Sequence, residues 1–274
     1  MPDIDLHAYC ARVGYDGPRA PTLGVLQALH RLHPAAIAFE AIDVQLGRGV
    51  SLDPAAIDAK LIDARRGGYC FEHNDLFKRA LRAMGFEVSN LLARPRWNRP
   101  LDQPVPRTHQ AVRVRLDGED WLADVGFGAA MLTAPIRLDS REAQETAFEP
   151  VRLRPEGDER RLEVKIEGDW LPIYDIAPGT PLDIDYVAPN WFTSTHPDSI
   201  FRRTLIVSRA GPDTRYMLTD DLYTARRRDG GVDRRRLTVD DLERALAQEF
   251  HLPVEPDWRP VLERAVAAGG TSQS

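Results

Sequence analysis

Residues 65–93 read RRGGYCFEHNDLFKRALRAMGFEVSNLLA, and the change of rhythm inside this stretch decides the fold. Gly67 and Gly68 lead into a run where Leu76, Phe77, Ala80, Leu81 and Met84 recur at the spacing of one helical face, and Gly85 supplies a stop. Just beyond it, Ser89 to Ala93 forms a short run of strand type. Upstream, helical spacing persists from Thr22 onward, as in Leu23, Leu26 and Leu29. Downstream come short runs broken by Pro and Gly: Gln110 to Leu116, Trp121 to Val125, Val151 to Leu153, Leu162 to Ile166 and Trp170 to Ile173. They predict a sheet closed or nearly closed on itself. After Asp185 the signals mix, with an aromatic, turn-rich stretch from Tyr186 to His196 and candidate strands at Thr204 to Ser208 and Arg215 to Leu218. A late helix is capped by Thr238, with Asp241 three residues on and Leu242, Ala245, Leu246 and Phe250 along one face. Asp229 to Arg236 reads as an exposed turn and Ala267 to Ser274 as a frayed tail.

Composition narrows the class. The chain has 274 residues, 43% hydrophobic and 28% charged, which suits a folded protein of two or three lobes. The net charge of −6 offers no basic domain for nucleic acid, despite local runs at Arg65-Arg66 and Arg234-Arg235-Arg236. Met1 to Tyr9 carries acids where a secretory signal has basic residues, and no stretch is apolar for the length of a membrane span. A cytoplasmic protein, without membrane or nucleic-acid partners, is expected; both monomer and homo-oligomer fit the sequence. The two cysteines, Cys10 and Cys70, provide no disulfide framework. The nearest approach to a metal set, Cys70 with His73, is two ligands short of a structural zinc site, so no metal is expected.

Chemistry concentrates in two places. Cys70 falls in the first turn of the expected helix, where backbone N–H groups lack partners and the helix dipole favours thiolate over thiol. Gly67 and Gly68 leave room for a carbonyl to approach, and the Cys70 N–H is a candidate oxyanion donor. The second place is the alternating pair of runs around Asp117-Gly118, a hairpin signal. A two-residue loop pairs Leu116 with Glu119, Val114 with Trp121, Val112 with Ala123, Ala111 with Asp124 and His109 with Gly126. His109 and Asp124 are then diagonal neighbours roughly 7–8 Å apart, within reach of an imidazole–carboxylate bond. Such a bond fixes the ring's tautomer and leaves its other nitrogen to take a proton from a thiol. Taken singly, a buried structural cysteine or a structural His–Asp pair explains each half; together they read as a cysteine–histidine–aspartate triad.

Four segments in their order and separation, RRGGYCFEHN (65–74), RTH (107–109), WLADVGFG (121–128) and NWFTSTHPDSIF (190–201), closely resemble the arylamine N-acetyltransferase family. The resemblance covers nearly the whole chain and implies an α+β fold with a papain-like Cys-His-Asp arrangement. Its parts are a helical bundle (1–87) carrying Cys70, a β-barrel (88–189) carrying His109 and Asp124, and an α/β lid (190–274). It implies acetyl transfer from acetyl-CoA, through a Cys70 thioester, to the nitrogen of an arylamine, arylhydrazine or N-hydroxyarylamine, in a ping-pong cycle. Apolar walls would come from Phe39, Tyr69, Phe71, Phe127 and Phe201, with Gly126 and Gly128 letting the backbone approach the acyl group or coenzyme. Glu40 and Arg65 match a supporting ion pair. At Ala38 to Asp43 the chain departs from the family's Pro-Phe-Glu-Asn, which bears on the pocket beside Phe39. His73 and Cys10 read as packing residues. The alternatives are a macrolactam-forming amide synthase of the same family, a thiol hydrolase or transglutaminase-like enzyme, and a binding protein without turnover.

Overall fold

The computed structural model describes residues 4–129 and 131–271. Helices α1 (Leu6–Val13), α2 (Leu23–Ala36), α3 (Ile42–Gln45) and α4 (Pro54–Asp58), a π-helical turn (Ala59–Asp63) and α5 (Cys70–Ala83) form the first third, interrupted by the short strand β1 (Phe39–Glu40). Asp5 and Thr22 cap α1 and α2 through their side-chain oxygens, and Gly85, at φ 89°, allows the turn after α5. The face of α5 bearing Leu76, Phe77, Ala80 and Leu81 is buried against Leu26 and Leu29 of α2, as the spacing predicts.

The middle strands are β2 (Glu87–Pro95), β3 (His109–Leu116), β4 (Glu119–Ala123), β5 (Ile136–Arg137), β6 (Val151–Glu156), β7 (Glu159–Ile166) and β8 (Asp169–Ile176). They form one curled sheet in the order β5-β4-β3-β2-β8-β7-β6. Gln144 helps join its two edges. It pairs its backbone with Val151 at the β6 edge, while its side-chain amide accepts from Arg137 N–H (2.7 Å) and donates to Arg137 C=O (3.0 Å) at the β5 edge. A glutamine side chain thus stands in for a missing strand and satisfies exposed edge groups.

The last third holds α6 (Val187–Thr195), α7 (Ile200–Arg203), β9 (Ile206–Ala210), β10 (Thr214–Thr219), β11 (Leu222–Arg227), β12 (Val232–Arg236), α8 (Val239–Gln248) and α9 (Arg259–Thr271). Its sheet runs β1-β9-β10-β11-β12, so Phe39 and Glu40 of the first third supply an edge strand to it. That strand delivers Phe39 and Glu40 to the neighbourhood of Cys70.

Three expectations are corrected. Tyr186 to His196 is mostly helix rather than turn, because α6 is inverted: Asn190, Thr193 and Ser194 face inward, Asn190 and Ser194 with polar partners, while Val187 and Trp191 face solvent. Asp229 to Arg236 ends in strand β12, whose residues are all exposed, so no alternation betrays it. The tail expected to fray from Ala267 is helical through Thr271; its final residues, 272–274, lie outside the described residues.

Candidate active site

Cys70 is the first residue of α5, with Tyr69 as the flanking cap residue. The Tyr69 N–H donates to Glu72 Oε2 (2.9 Å), and Lys60 holds the other carboxylate oxygen at 2.8 Å. Burial raises the Glu72 carboxyl, opposed by Lys60 and the Tyr69 amide. Glu72 therefore pins the chain's entry into the helix. A Cβ at Gly67 would lie 2.2 Å from the Ala38 carbonyl oxygen, and one at Gly68 would lie 2.7 Å from Glu72 Oε2. The Cβ side of both glycines is thus filled by protein.

The hairpin forms with the predicted two-residue loop, Asp117 and Gly118 both having positive φ, and the register Leu116–Glu119, Val114–Trp121, Val112–Ala123. The ladder stops there, so the expected pairs Ala111–Asp124 and His109–Gly126 do not form as strand pairs. Asp124 leaves the sheet to meet helix side chains. Its amide donates to His30 Nε2 (3.1 Å), and the next amide, Val125 N–H, donates to Asn74 Oδ1 (3.1 Å). The carboxylate accepts from His109 Nε2–H (2.7 Å), Asn74 Nδ2–H (2.9 Å) and Gly126 N–H (3.0 Å).

With Nε2 committed to Asp124, Nδ1 is the nitrogen left to face the Cys70 thiol, whose proximity helps raise the ring. The thiol also lies 3.7 Å from the Thr108 carbonyl oxygen. Burial opposes charge on His109, but the Asp124 carboxylate and Cys70 outweigh it and push the ring up to about 10. Asp124 is lowered by His109, Asn74 and Gly126 against its own burial. A protonated imidazole beside sulfur can serve as counter-ion to a thiolate and as proton donor to a leaving group.

Aromatic rings flank this group on two sides. Phe39, Tyr69, Phe71 and Phe201 form one cluster with Cys70; Phe39 and Tyr69 each approach Phe201, with centroids 5.8 and 5.9 Å apart. Tyr69 and Phe71 are fully buried, the Tyr69 hydroxyl donating to Asn190 and Phe71 packing on Tyr186. On the other side Phe127 meets His109 edge-on at 5.0 Å, and Tyr174 lies 4.9 Å from the same ring. Gly126 presses on the nucleophile's helix, where an added Cβ would sit 3.0 Å from Cys70 Cα; Gly128 (φ +87°) presses on the Phe39 ring. Their recorded close approaches are thus to protein.

The ion pair read from sequence is shifted by one residue. Glu40 pairs with Arg66 (2.9 Å), which also reaches Asp43 and Glu255 and stacks on Trp258, whereas Arg65 occupies an exposed left-handed turn (φ 53°). Asn74, His30 and Tyr174 were missed. Asn74 had a signal, since it lies four residues after Cys70 and so shares its helical face. Among the described residues no group of three or more His, Cys, Asp or Glu is placed to hold a metal ion, and no helix is long and apolar enough to cross a membrane.

A family model described as N-acetyltransferase matches residues 22–259, which makes the chain an acetyl-transferring enzyme by class. The arylamine N-acetyltransferase of Mycolicibacterium smegmatis is 42% identical over 78% of this chain and 80% of its own length. The Salmonella typhimurium arylamine N-acetyltransferase / N-hydroxyarylamine O-acetyltransferase is 39% identical over 96% of this chain and 94% of its own. The structure of Mycobacterium marinum arylamine N-acetyltransferase in complex with CoA aligns with a TM-score of 0.90 at 37% identity, covering 96% of this chain and 98% of that one. The chain belongs to the arylamine N-acetyltransferase family.

Proposed function

We propose that the protein transfers an acetyl group from acetyl-CoA to the nitrogen of an arylamine, arylhydrazine or N-hydroxyarylamine, with Cys70 as acyl carrier. The Cys70 thiolate attacks the thioester carbonyl; the carbon–sulfur bond to CoA breaks, and the departing thiolate takes the proton held by His109. The ring loses its anionic neighbour once Cys70 is acylated, and becomes the base that accepts the amine's proton as nitrogen attacks the acyl-enzyme. The amide forms and Cys70 leaves as thiolate. Asp124 keeps the ring's tautomer throughout. The buried aromatic surroundings support exclusion of water during the intermediate's lifetime and suit an aromatic acceptor.

The observation that carries this reading is the His109–Asp124 hydrogen bond (2.7 Å) beside Cys70, whose sulfur at the start of α5 lies 3.7 Å from the carbonyl oxygen of Thr108, the residue before His109. We further propose that residues 190–274 act as the lid, tied to the nucleophile's flank by the Asn190–Tyr69 hydrogen bond. Protein mixed with acetyl-CoA alone should gain one acetyl group, located on Cys70 by peptide mass spectrometry and absent in Cys70→Ala. Acetyl-CoA consumed steadily without an acceptor would favour a hydrolase, and no acetyl on Cys70 would remove the thioester step.

A further inference from the structure

Asp124 sits at the point where the barrel sheet stops being a sheet. Residue by residue, β4 follows β3 as far as Ala123, and the next two amides turn away toward the helices. A buried N–H without an acceptor costs about 1–3 kcal/mol, so each must find one. Asn74 serves Val125 and also donates to the Asp124 carboxylate. His30, from the middle of α2, serves Asp124 itself. Its ring is fully buried and lies edge-on to Phe77, with centroids 5.9 Å apart, so it has little freedom to move. The peptide plane leading into Asp124 is therefore fixed from outside the sheet, which sets the position from which its side chain extends to His109, Asn74 and Gly126.

We propose that His30 is a positioning residue for the reaction: its Nε2, as acceptor for the Asp124 amide, holds the acid where its carboxylate meets His109. The inference rests on reading Cys70, His109 and Asp124 as the acyl-transfer site. The role requires a neutral ring, since only a nitrogen without a proton can accept, and burial, only partly offset by nearby Asp124, lowers His30 to about 4. The chemistry needed is an acceptor at the reach of Nε2. Glutamine places its amide oxygen near that position; asparagine, one methylene shorter, stops near Nδ1.

That difference in reach supplies the test. His30→Gln, His30→Asn and unsubstituted protein are compared for the single-turnover rate of Cys70 acetylation by acetyl-CoA, per mole of protein folded by near-ultraviolet circular dichroism. Misplacement by about an ångström costs up to roughly 100-fold in rate. His30→Asn is expected to lose about 10- to 100-fold in that rate, while His30→Gln stays close to the unsubstituted enzyme. If His30→Asn does not fold, His30→Met, of comparable volume and without the acceptor, takes its place. Equal rates for the glutamine variant and its comparator, whether both fast or both slow, would overturn the proposal while leaving the triad standing. Absence of acetyl on Cys70 in the unsubstituted protein would end both readings together.

Discussion

Buried imidazoles lie side by side in this molecule and are pushed in opposite directions. His30, His33 and His73, on α2 and α5, are sealed from water in the helical bundle, and burial drives all three down, His30 and His73 to about 4. His109, at the start of β3 and just as buried, is driven up to about 10. Burial is common to both; a carboxylate bonded to the ring is present only at His109. In the bundle the rings bond to neutral groups instead. His73 Nε2–H donates to the Ala38 carbonyl (3.1 Å), so its Nδ1 accepts from His33 Nε2–H (2.9 Å), and His33 Nδ1 accepts from the Tyr9 hydroxyl (3.0 Å). That chain of bonds is complete with His33 and His73 neutral. A buried imidazole thus takes its charge from the partner it is given, and this protein uses neutral rings as scaffold and a charged one for chemistry.

The largest way to break that contrast is Asp124→Asn, which takes the carboxylate from His109. Its acetylation rate, followed by rapid quench, should fall about ten-thousandfold through the wrong tautomer and the lost counter-charge. Near-normal acetylation would reduce Asp124 to scaffolding.

Next comes pH. The bundle rings stay neutral in the folded chain but bind protons when unfolded below about 6.5, so the unfolded state gains protons as pH falls toward 4. Their stabilisation is complete above that range and lost on acidification, on the order of 1 kcal/mol per pH unit for each ring. His109 works the other way: its stabilisation is complete below about 6.5 and is lost as pH rises through its folded value of about 10. Denaturant midpoints should therefore peak near neutrality and fall on both sides, and a profile flat from pH 4 to 10 would refute the contrast.

Asn74→Ala removes a donor to the Asp124 carboxylate and the acceptor for Val125. It should slow acetylation up to roughly 100-fold with the ring still charged, sharpening the distinction between charge and position. The smallest effect is expected at the far end of the neutral chain, where Tyr9→Phe leaves His33 Nδ1 without its donor. About 1–3 kcal/mol of stability should be lost in urea titrations, with turnover of the remaining folded enzyme unchanged.

The division between charged and neutral rings was only half legible. Asp117-Gly118 fixed the hairpin's loop and register because that turn demands positive φ at both positions, but Asp124 lies one residue past the ladder and is held against His109 by contacts to α2 and α5. The glycines and the helical period put Cys70 at the start of α5. His30 was illegible because its partner is a backbone amide, which has no signature in the sequence. Arg66 was mistaken for Arg65 because side-chain direction in that loop depends on one left-handed residue. Helix α6 was missed for a related reason: inward Asn190 and Ser194 are satisfied by Tyr69, the Val50 carbonyl and the helix's own backbone, contacts that no period reveals.

The account turns on the proton at His109. Nitrogen-15 NMR of imidazole-labelled protein, titrated from pH 5 to the upper limit of stability, reads that proton directly. The expected result is a His109 ring protonated at both nitrogens well past pH 8, and titrating much lower in Asp124→Asn. A ring losing its proton near the ordinary histidine value of about 6.5 in the unsubstituted enzyme would contradict it.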